Sequence, residues 1–154
     1  MKPRILFVCH GNICRSPTGE AILQKLEPNW IVDSAGTHAE LGYQNAHPKT
    51  IRVAKHYGVE INHTPRQFEY EDFTRFDFIV TADTQVHSEV IRYAKTDEER
   101  DKVVQLARFS TKGITEIPDP YYELNFEEVF EYIKDCCEQF QLNIKEKEKR
   151  MYSS

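Results

Sequence analysis

The feature that most limits how this chain can fold lies in its first seventeen residues. Arg4 to Val8 is a short apolar run rich in strand formers, bounded by Pro3 and by Gly11-Asn12, and it reads as a fully buried strand. Directly after it come Cys9-His10-Gly11-Asn12-Ile13-Cys14-Arg15, then Ser16-Pro17, a helix-start signal with proline suited to the first helical position. A buried strand that runs through a tight loop straight into a helix opens a βαβ unit. Repeated, such units commit a chain to a parallel sheet covered by helices.

The remaining sequence keeps the alternation. Ala21, Ile22 and Leu26 recur at helical spacing; Trp30-Ile31-Val32 reads as a second strand ending at Ser34-Ala35-Gly36. A loop from Thr37 to His47 leads into a helical pattern (Ile51, Val53, Ala54, Tyr57) that closes at Gly58. Phe76 to Thr81 is predicted as the third strand, and Val86, Val90, Ile91 and Ala94 as the next helix. Thr96-Asp97-Glu98-Glu99 has capping-box form and opens a short helix before Val103 to Ala107, the fourth strand. A proline-bearing loop spans Phe109 to about Asn125, and Phe126 to Phe140 is a strong last helix. The predicted fold class is α/β: a doubly wound four-stranded parallel sheet with helices on both faces and a phosphate-binding loop after strand 1. No repeat or low-complexity linker interrupts the 154 residues, so 1–154 is expected to be one domain, with about 145–154 (Lys145 to Arg150 is K-E-K-E-K-R) a solvated or frayed charged tail.

Charge excludes some partners. Lys plus Arg number 20 against 25 Asp plus Glu, a net charge of −5, which offers no general attraction to nucleic acid or to an anionic membrane, while leaving room for a local anion site. The longest apolar stretch, Ile5 to Cys9, is too short to span a bilayer or to form a signal-peptide core, so a cytoplasmic protein is expected. The cysteines are Cys9, Cys14, Cys136 and Cys137; no pair of C-x₂-C knuckles exists for zinc, and a reduced compartment with one special thiol fits better. Cys136 and Cys137 fall in the last helix and read as packing residues. The sequence sets no oligomeric state.

In open parallel sheets, ligands bind at the carboxyl ends of the strands, which puts the chemistry in the loops after them. There the loop from Cys9 to Ser16 turns successive backbone N–H groups inward and adds a helix N-terminus, a combination that binds a dianion. Gly11 and Asn12 let it turn tightly through positive φ, and Arg15 can close over the bound group with a two-pronged donor. The same field favours a thiolate on Cys9. A thiolate under a phosphate-shaped cradle can attack phosphorus and form a covalent thiophosphate. The Walker pattern G-x₄-G-K-[ST] is absent, which disfavours nucleotide hydrolysis. Neither metal nor cofactor is required, because arginine and backbone amides neutralise the charge.

The run Val8 to Pro17 (V-C-H-G-N-I-C-R-S-P) resembles the signature of the low-molecular-weight protein tyrosine phosphatases. The resemblance continues through Asp33-Ser34-Ala35-Gly36, the stretch His63 to Phe78 with its E-D-F and F-D-F, and Asp119-Pro120-Tyr121-Tyr122. It implies that Cys9 is the nucleophile, that Arg15 binds phosphate with His10, Gly11, Asn12, Ile13 and Cys14, and that Asp119 protonates the leaving oxygen and later activates water. It further implies that Asn12, Ser16 and His63 form a supporting network, that Tyr121 and Tyr122 wall the substrate cleft, and that Cys14 can form a reversible disulfide with Cys9 under peroxide. The implied substrates are phosphotyrosine-containing proteins and small aryl phosphates. Residue type alone leaves these roles open: Asp119-Pro120 is equally a turn, His63 equally a surface histidine, Tyr121 and Tyr122 equally core or surface aromatics, and Asp83 equally structural. An acid that must be protonated while Cys9 is ionised predicts a bell-shaped pH profile on the acidic side of neutral.

Two departures bear on substrate choice. Glu40 and Leu41 stand where family members often carry an aromatic residue, with Tyr43 coming later, and His47-Pro48-Lys49 replaces the usual Asp-Pro-Arg. Other activities compete less well. Arsenate reductases of this fold need a distant cysteine pair in a flexible segment, and no cysteine lies between Cys14 and Cys136. Phosphoarginine phosphatases usually carry threonine where this chain has Ile13, whose apolar side chain suits a phenyl ring better than a guanidinium. A non-catalytic phosphotyrosine-binding regulator would be signalled by loss of Cys9, Arg15 or Asp119, and all three are present.

Overall fold

Strand β1 (Arg4–Cys9) is buried from Ile5 to Cys9, and only a strand covered on both faces can carry such an unbroken apolar run. A computed structural model describes residues 2–152, apart from the side chains of Tyr122, Glu123 and Tyr152. In order along the chain, α1 (Arg15–Leu26), β2 (Ile31–Gly36), α2 (Pro48–His56), α3 (Asp72–Arg75) and β3 (Phe78–Thr81) follow β1. Then come α4 (Thr84–Tyr93), α5 (Asp97–Asp101), β4 (Val103–Gln105), α6 (Pro120–Glu123) and α7 (Phe126–Tyr152). The four strands are all parallel, in the order β2-β1-β3-β4, as the alternating pattern predicts. The order reverses between β1 and β3, and the crevice outside the carboxyl end of such a switch point is where open α/β sheets bind ligands. Cys9 closes β1 at that point.

Alternation along β1 divides the core into two layers. Ile5, Phe7 and Cys9 join Ile22 and Leu23 of α1, Ala54 of α2, and Ile133 and Phe140 of α7. Leu6 and Val8 face the other way, onto Phe73 of α3 and Val86 and Val90 of α4. Each fully buried side chain of this size stabilises the fold by about 1.5–3 kcal/mol. Together the two layers fix the height and tilt of the loop that leaves β1.

Several boundaries differ from the predicted ones. β3 begins at Phe78, because the Phe76 N–H closes α3 on Asp72 and the Asp77 N–H donates to the Arg4 carbonyl. β4 stops at Gln105, where Leu106–Phe109 turns into a 3₁₀ helix and carries Phe109 onto Phe140. The short helices α3 and α6 fall where no element is predicted; each is one turn, too brief to leave a periodic signature. The last helix runs through Tyr152, so the charged run from Lys145 is solvated but helical rather than frayed. Lys145 meets Glu27 at 3.2 Å and Arg150 meets Glu146 at 4.0 Å, a tether to α1 and an i,i+4 pair that favour the helical form. Among the described residues no helix is long and apolar enough to cross a membrane.

Candidate active site

The loop between β1 and α1 is shaped by Asn12, which is fully buried and takes a left-handed backbone with φ of 59°. Gly11 does not share that conformation, contrary to the expectation from sequence. Its glycine serves space instead, since a Cβ there would sit 3.0 Å from Cγ of Glu40. Gly36, at the end of β2 in register with Cys9, meets a harder limit: a Cβ would lie 2.7 Å from the His10 carbonyl oxygen and 3.0 Å from the Asn12 nitrogen. Cys14 is the N-cap of α1 but offers no side-chain cap. Among the described residues no acceptor meets the backbone N–H groups of Gly11, Ile13, Cys14 and Arg15. A row of unsatisfied amides at a helix N-terminus is an anion-binding arrangement.

Behind the loop, the side chains of Asn12, Ser16, Ser34 and His63 are all bonded. The Asn12 N–H donates to Cys9 Sγ at 3.3 Å, and the Asn12 amide donates to Ser16 Oγ at 2.8 Å and Ser34 Oγ at 3.0 Å. Its Oδ1 accepts from the Arg66 N–H at 2.9 Å. Ser16 Oγ lies 2.9 Å from Cys9 Sγ and 3.4 Å from the Ala35 carbonyl; because Ser16 accepts from Asn12, its single proton is shared between these two, and the sulfur is the nearer. His63 Nε2 lies 2.9 Å from the Asn12 carbonyl and 3.1 Å from Asn12 Oδ1, both acceptors, which places a proton on Nε2. Ser34 in turn donates to Glu20 Oε1 at 2.6 Å, and Glu20 approaches His63 Nδ1 at 3.7 Å. Burial pushes the Glu20 carboxyl up to about 7 and holds His63 below its ordinary value. The predicted network of Asn12, Ser16 and His63 thus comes together, with Ser34 and Glu20 as members not picked out from the sequence. Glu20 lies one helical turn beyond Ser16, a spacing by which it was findable.

Arg15 is buried, and its Nη1 donates to Asp83 at 2.7 Å and to the Ile117 carbonyl at 2.9 Å; its Nη2 lies 3.5 Å from Asp119 Oδ2. Burial works against its charge, but Cys9, Asp119 and Asp83 outweigh that and raise its pKa. Asp83 also caps α4, accepting from the Val86 N–H at 2.8 Å. Asp119 caps α6, accepting from the Tyr121 N–H at 3.0 Å, with Pro120 at the first helical position. Both carboxylates are therefore held by the helices they start.

A pocket with about 350 Å³ of empty space opens over these groups, lined by Cys9, His10, Gly11, Ile13, Cys14, Arg15, Glu40, Asp119 and Tyr121. Of the sequence-predicted residues, Asn12, Ser16 and His63 lie beneath it rather than in its lining. The Tyr122 side chain lies outside the described residues. Tyr43 does not line the pocket; it packs with Phe126 against Ile13 and Cys14. Cys14 is backed by Thr50, and burial pushes its thiol up to about 12. His47 caps α2 by accepting from the Lys49 N–H at 3.1 Å and packs its ring, tilted, against Phe126 at 5.0 Å, so the histidine that departs from the usual Asp-Pro-Arg still starts the helix. Cys136 and Cys137 are buried, Cys137 against the Gly19 carbonyl of α1. Among the described residues no cluster of three or more His, Cys, Asp or Glu is placed to hold a metal ion.

Comparison with known proteins sets this geometry among relatives. Residues 4–150 match the family model of the low molecular weight phosphotyrosine protein phosphatases. The chain is similar to the low molecular weight phosphotyrosine protein phosphatase of Gallus gallus, 36% identical over 150 residues, spanning 88% of this chain and 92% of the relative. Among solved structures it resembles a protein tyrosine phosphatase from Entamoeba histolytica, crystallised with Hepes in the active site, at a TM-score of 0.88 and 33% identity over 96% of this chain and 99% of that one. It also resembles a tyrosine phosphatase of Escherichia coli K30 in complex with sulphate, at a TM-score of 0.83 and 28% identity over 94% of this chain and 99% of that one.

Proposed function

The chain belongs to the low molecular weight phosphotyrosine protein phosphatase family, a family of cysteine-based, metal-independent phosphatases, and from that premise we propose that it hydrolyses phosphotyrosine and aryl phosphate monoesters through a cysteinyl-phosphate intermediate. One observation carries the reading: Cys9, Arg15 and Asp119 line a single pocket, with Asp119 3.5 Å from the guanidinium that faces the nucleophile's loop. The phosphate takes the N–H groups of the loop and the fork of Arg15, and the Ser16 hydroxyl holds the Cys9 thiolate. Cys9 Sγ attacks phosphorus as the bond to the phenol oxygen breaks, and Asp119 delivers its proton to that oxygen. The Asp119 carboxylate then takes a proton from water, whose oxygen attacks phosphorus and releases inorganic phosphate and the thiolate. Ile13 and Tyr121 supply the apolar wall for the phenyl ring.

The whole of 1–154 is read as one domain serving this reaction, in the cytoplasm, where the unpaired thiols stay reduced. Under peroxide, Cys9 is oxidised to a sulfenic acid, and the Cys14 thiol displaces water from it to give a disulfide that thiols reverse.

The test is hydrolysis of para-nitrophenyl phosphate in chelator, for wild type beside Cys9→Ser, from about pH 4.5 to about pH 8. A bell-shaped profile on the acidic side of neutral, lost by about 10⁴-fold or more in the variant, is expected. Equal activity in the variant sinks the nucleophile. No turnover in either protein, with phosphate still bound, points to a binding module instead.

A further inference from the structure

The pocket mouth carries one carboxylate that the chemistry above does not use. Glu40 lies in the loop between β2 and α2, and its backbone is pinned to the β1–α1 loop: the Glu40 N–H donates to the Gly11 carbonyl at 2.9 Å, and the His38 N–H donates to the His10 carbonyl at 2.8 Å. The Tyr43 N–H closes a turn on the Glu40 carbonyl at 3.1 Å. The side chain crosses directly over Gly11, its Cγ 3.0 Å from where a Cβ would stand. Main-chain bonds thus fix where this carboxylate projects, and glycine at position 11 gives it room.

Its charge is not neutralised. Among the described residues the Glu40 carboxylate has neither a hydrogen bond nor an ion pair, although it lines the pocket with Arg15 and Asp119. Arg15 is already engaged by Asp83 and Asp119, and His38 by Glu89 at 3.2 Å. A phosphorylated side chain entering this mouth brings more negative charge past Glu40. A substrate that also brings a cation satisfies Glu40, and one that brings a further anion meets repulsion. Tyr121, 45% exposed on the same rim, offers apolar surface to the methylene stem of such a cation.

We propose that Glu40 is a specificity-determining residue, selecting phosphotyrosine sites with lysine or arginine directly beside the phosphorylated residue and disfavouring sites with aspartate or glutamate there. The inference rests on the phosphotyrosine reading above and adds the charge of the preferred sequence. Because the pair forms at the solvent-exposed rim, its effect is modest and weakened by salt.

The experiment measures kcat/KM of the full chain on three phosphotyrosine peptides identical except for lysine, alanine or glutamate on both sides of the phosphorylated residue. Para-nitrophenyl phosphate, which has no flank, is run beside them, for wild type, Glu40→Gln and Glu40→Lys. The wild type is expected to rank lysine above alanine above glutamate, with about 3- to 10-fold between the extremes at low salt and less at about 0.5 M salt. Glu40→Gln collapses the ratio towards one, and Glu40→Lys inverts it. Hydrolysis of the peptides with no ranking in the wild type, or a ranking that survives in Glu40→Gln, overturns the proposal while leaving the phosphatase reading intact. If neither the peptides nor the aryl phosphate turns over, it is the phosphatase reading that fails, and this inference with it.

Discussion

The two sides of the loop from Cys9 to Ser16 are built on opposite rules. On the pocket side, backbone amides at the start of α1 have no acceptor among the described residues, and the charged groups meet across gaps as wide as 3.5 Å. On the buried side, the Asn12 amide and both of its backbone polar groups are bonded, and its partners Ser34 and His63 lead on to Glu20. The difference shows how a small protein holds unsatisfied donors in a fixed arrangement. The network behind over-determines the loop, so the donors in front cannot relax onto the protein itself.

Substitutions on the two sides should therefore fail in different ways. The largest effect is expected in front: Asp119→Ala should slow turnover by about 10²–10⁴-fold, most for esters of poor leaving groups, with little change in melting temperature. Equal slowing across a series of substituted phenyl phosphates would contradict an acid role. Next comes Asn12→Ala behind the loop, which removes the donor to Ser16 and Ser34 and the acceptor of the Arg66 N–H at once. It should cost about 2–3 kcal/mol in denaturant unfolding and, by letting the loop drift, about 10²-fold in kcat/KM. Loss of activity with full stability would erase the contrast between the sides.

The smallest and most discriminating effect belongs to Glu20. Its folded carboxyl titrates near 7, against 4.5 ordinarily, so the folded state holds a proton that the unfolded chain gives up between those values. Stability from this group is fully present below about pH 4.5 and declines as pH rises through about 7. Glu20→Gln should remove that decline, so the variant gains on wild type by on the order of 1–3 kcal/mol between about pH 5 and about pH 7.5. His63, held below its ordinary value by burial, acts in the reverse direction: its share is present above about pH 6.5 and lost as pH falls below that. The difference between wild type and Glu20→Gln isolates the carboxylate, and a flat difference would show that the buried side is not desolvated there.

Much of this was legible in the sequence because it is local. The apolar run Ile5 to Cys9, the loop, and the Ser16-Pro17 helix start are contiguous, and the four strands each carry their own apolar signature. The capping box at Thr96 is present as read, Glu99 returning the bond through the Thr96 N–H at 3.1 Å. What escaped is set by chain segments meeting from afar. Ser34 reaches Asn12 across 22 residues and Arg66 across 54, and no periodicity reports such a meeting. Gly11 looked like a residue chosen for its backbone freedom and turned out to be one chosen for room, a distinction that depends on where Glu40 lies. Tyr43 was similarly undecidable, since only the packing against Ile13, Cys14 and Phe126 shows that it supports the loop from outside the pocket.

Gly36 carries the last consequence. Its missing side chain lets β2 pack against the loop where a Cβ would lie 2.7 Å from the His10 carbonyl oxygen, while its N–H donates to the Arg66 carbonyl and its carbonyl accepts from the Phe68 N–H. The curvature of the cradle is thus inherited from two segments that supply none of its amides. A chain in which β1, the loop and α1 have formed but β2 and residues 66–68 have not yet docked possesses the signature and lacks the site. The cradle depends on β2 and residues 66–68 being in place, and its capacity to hold an anion reports the docking of strands rather than the presence of a motif.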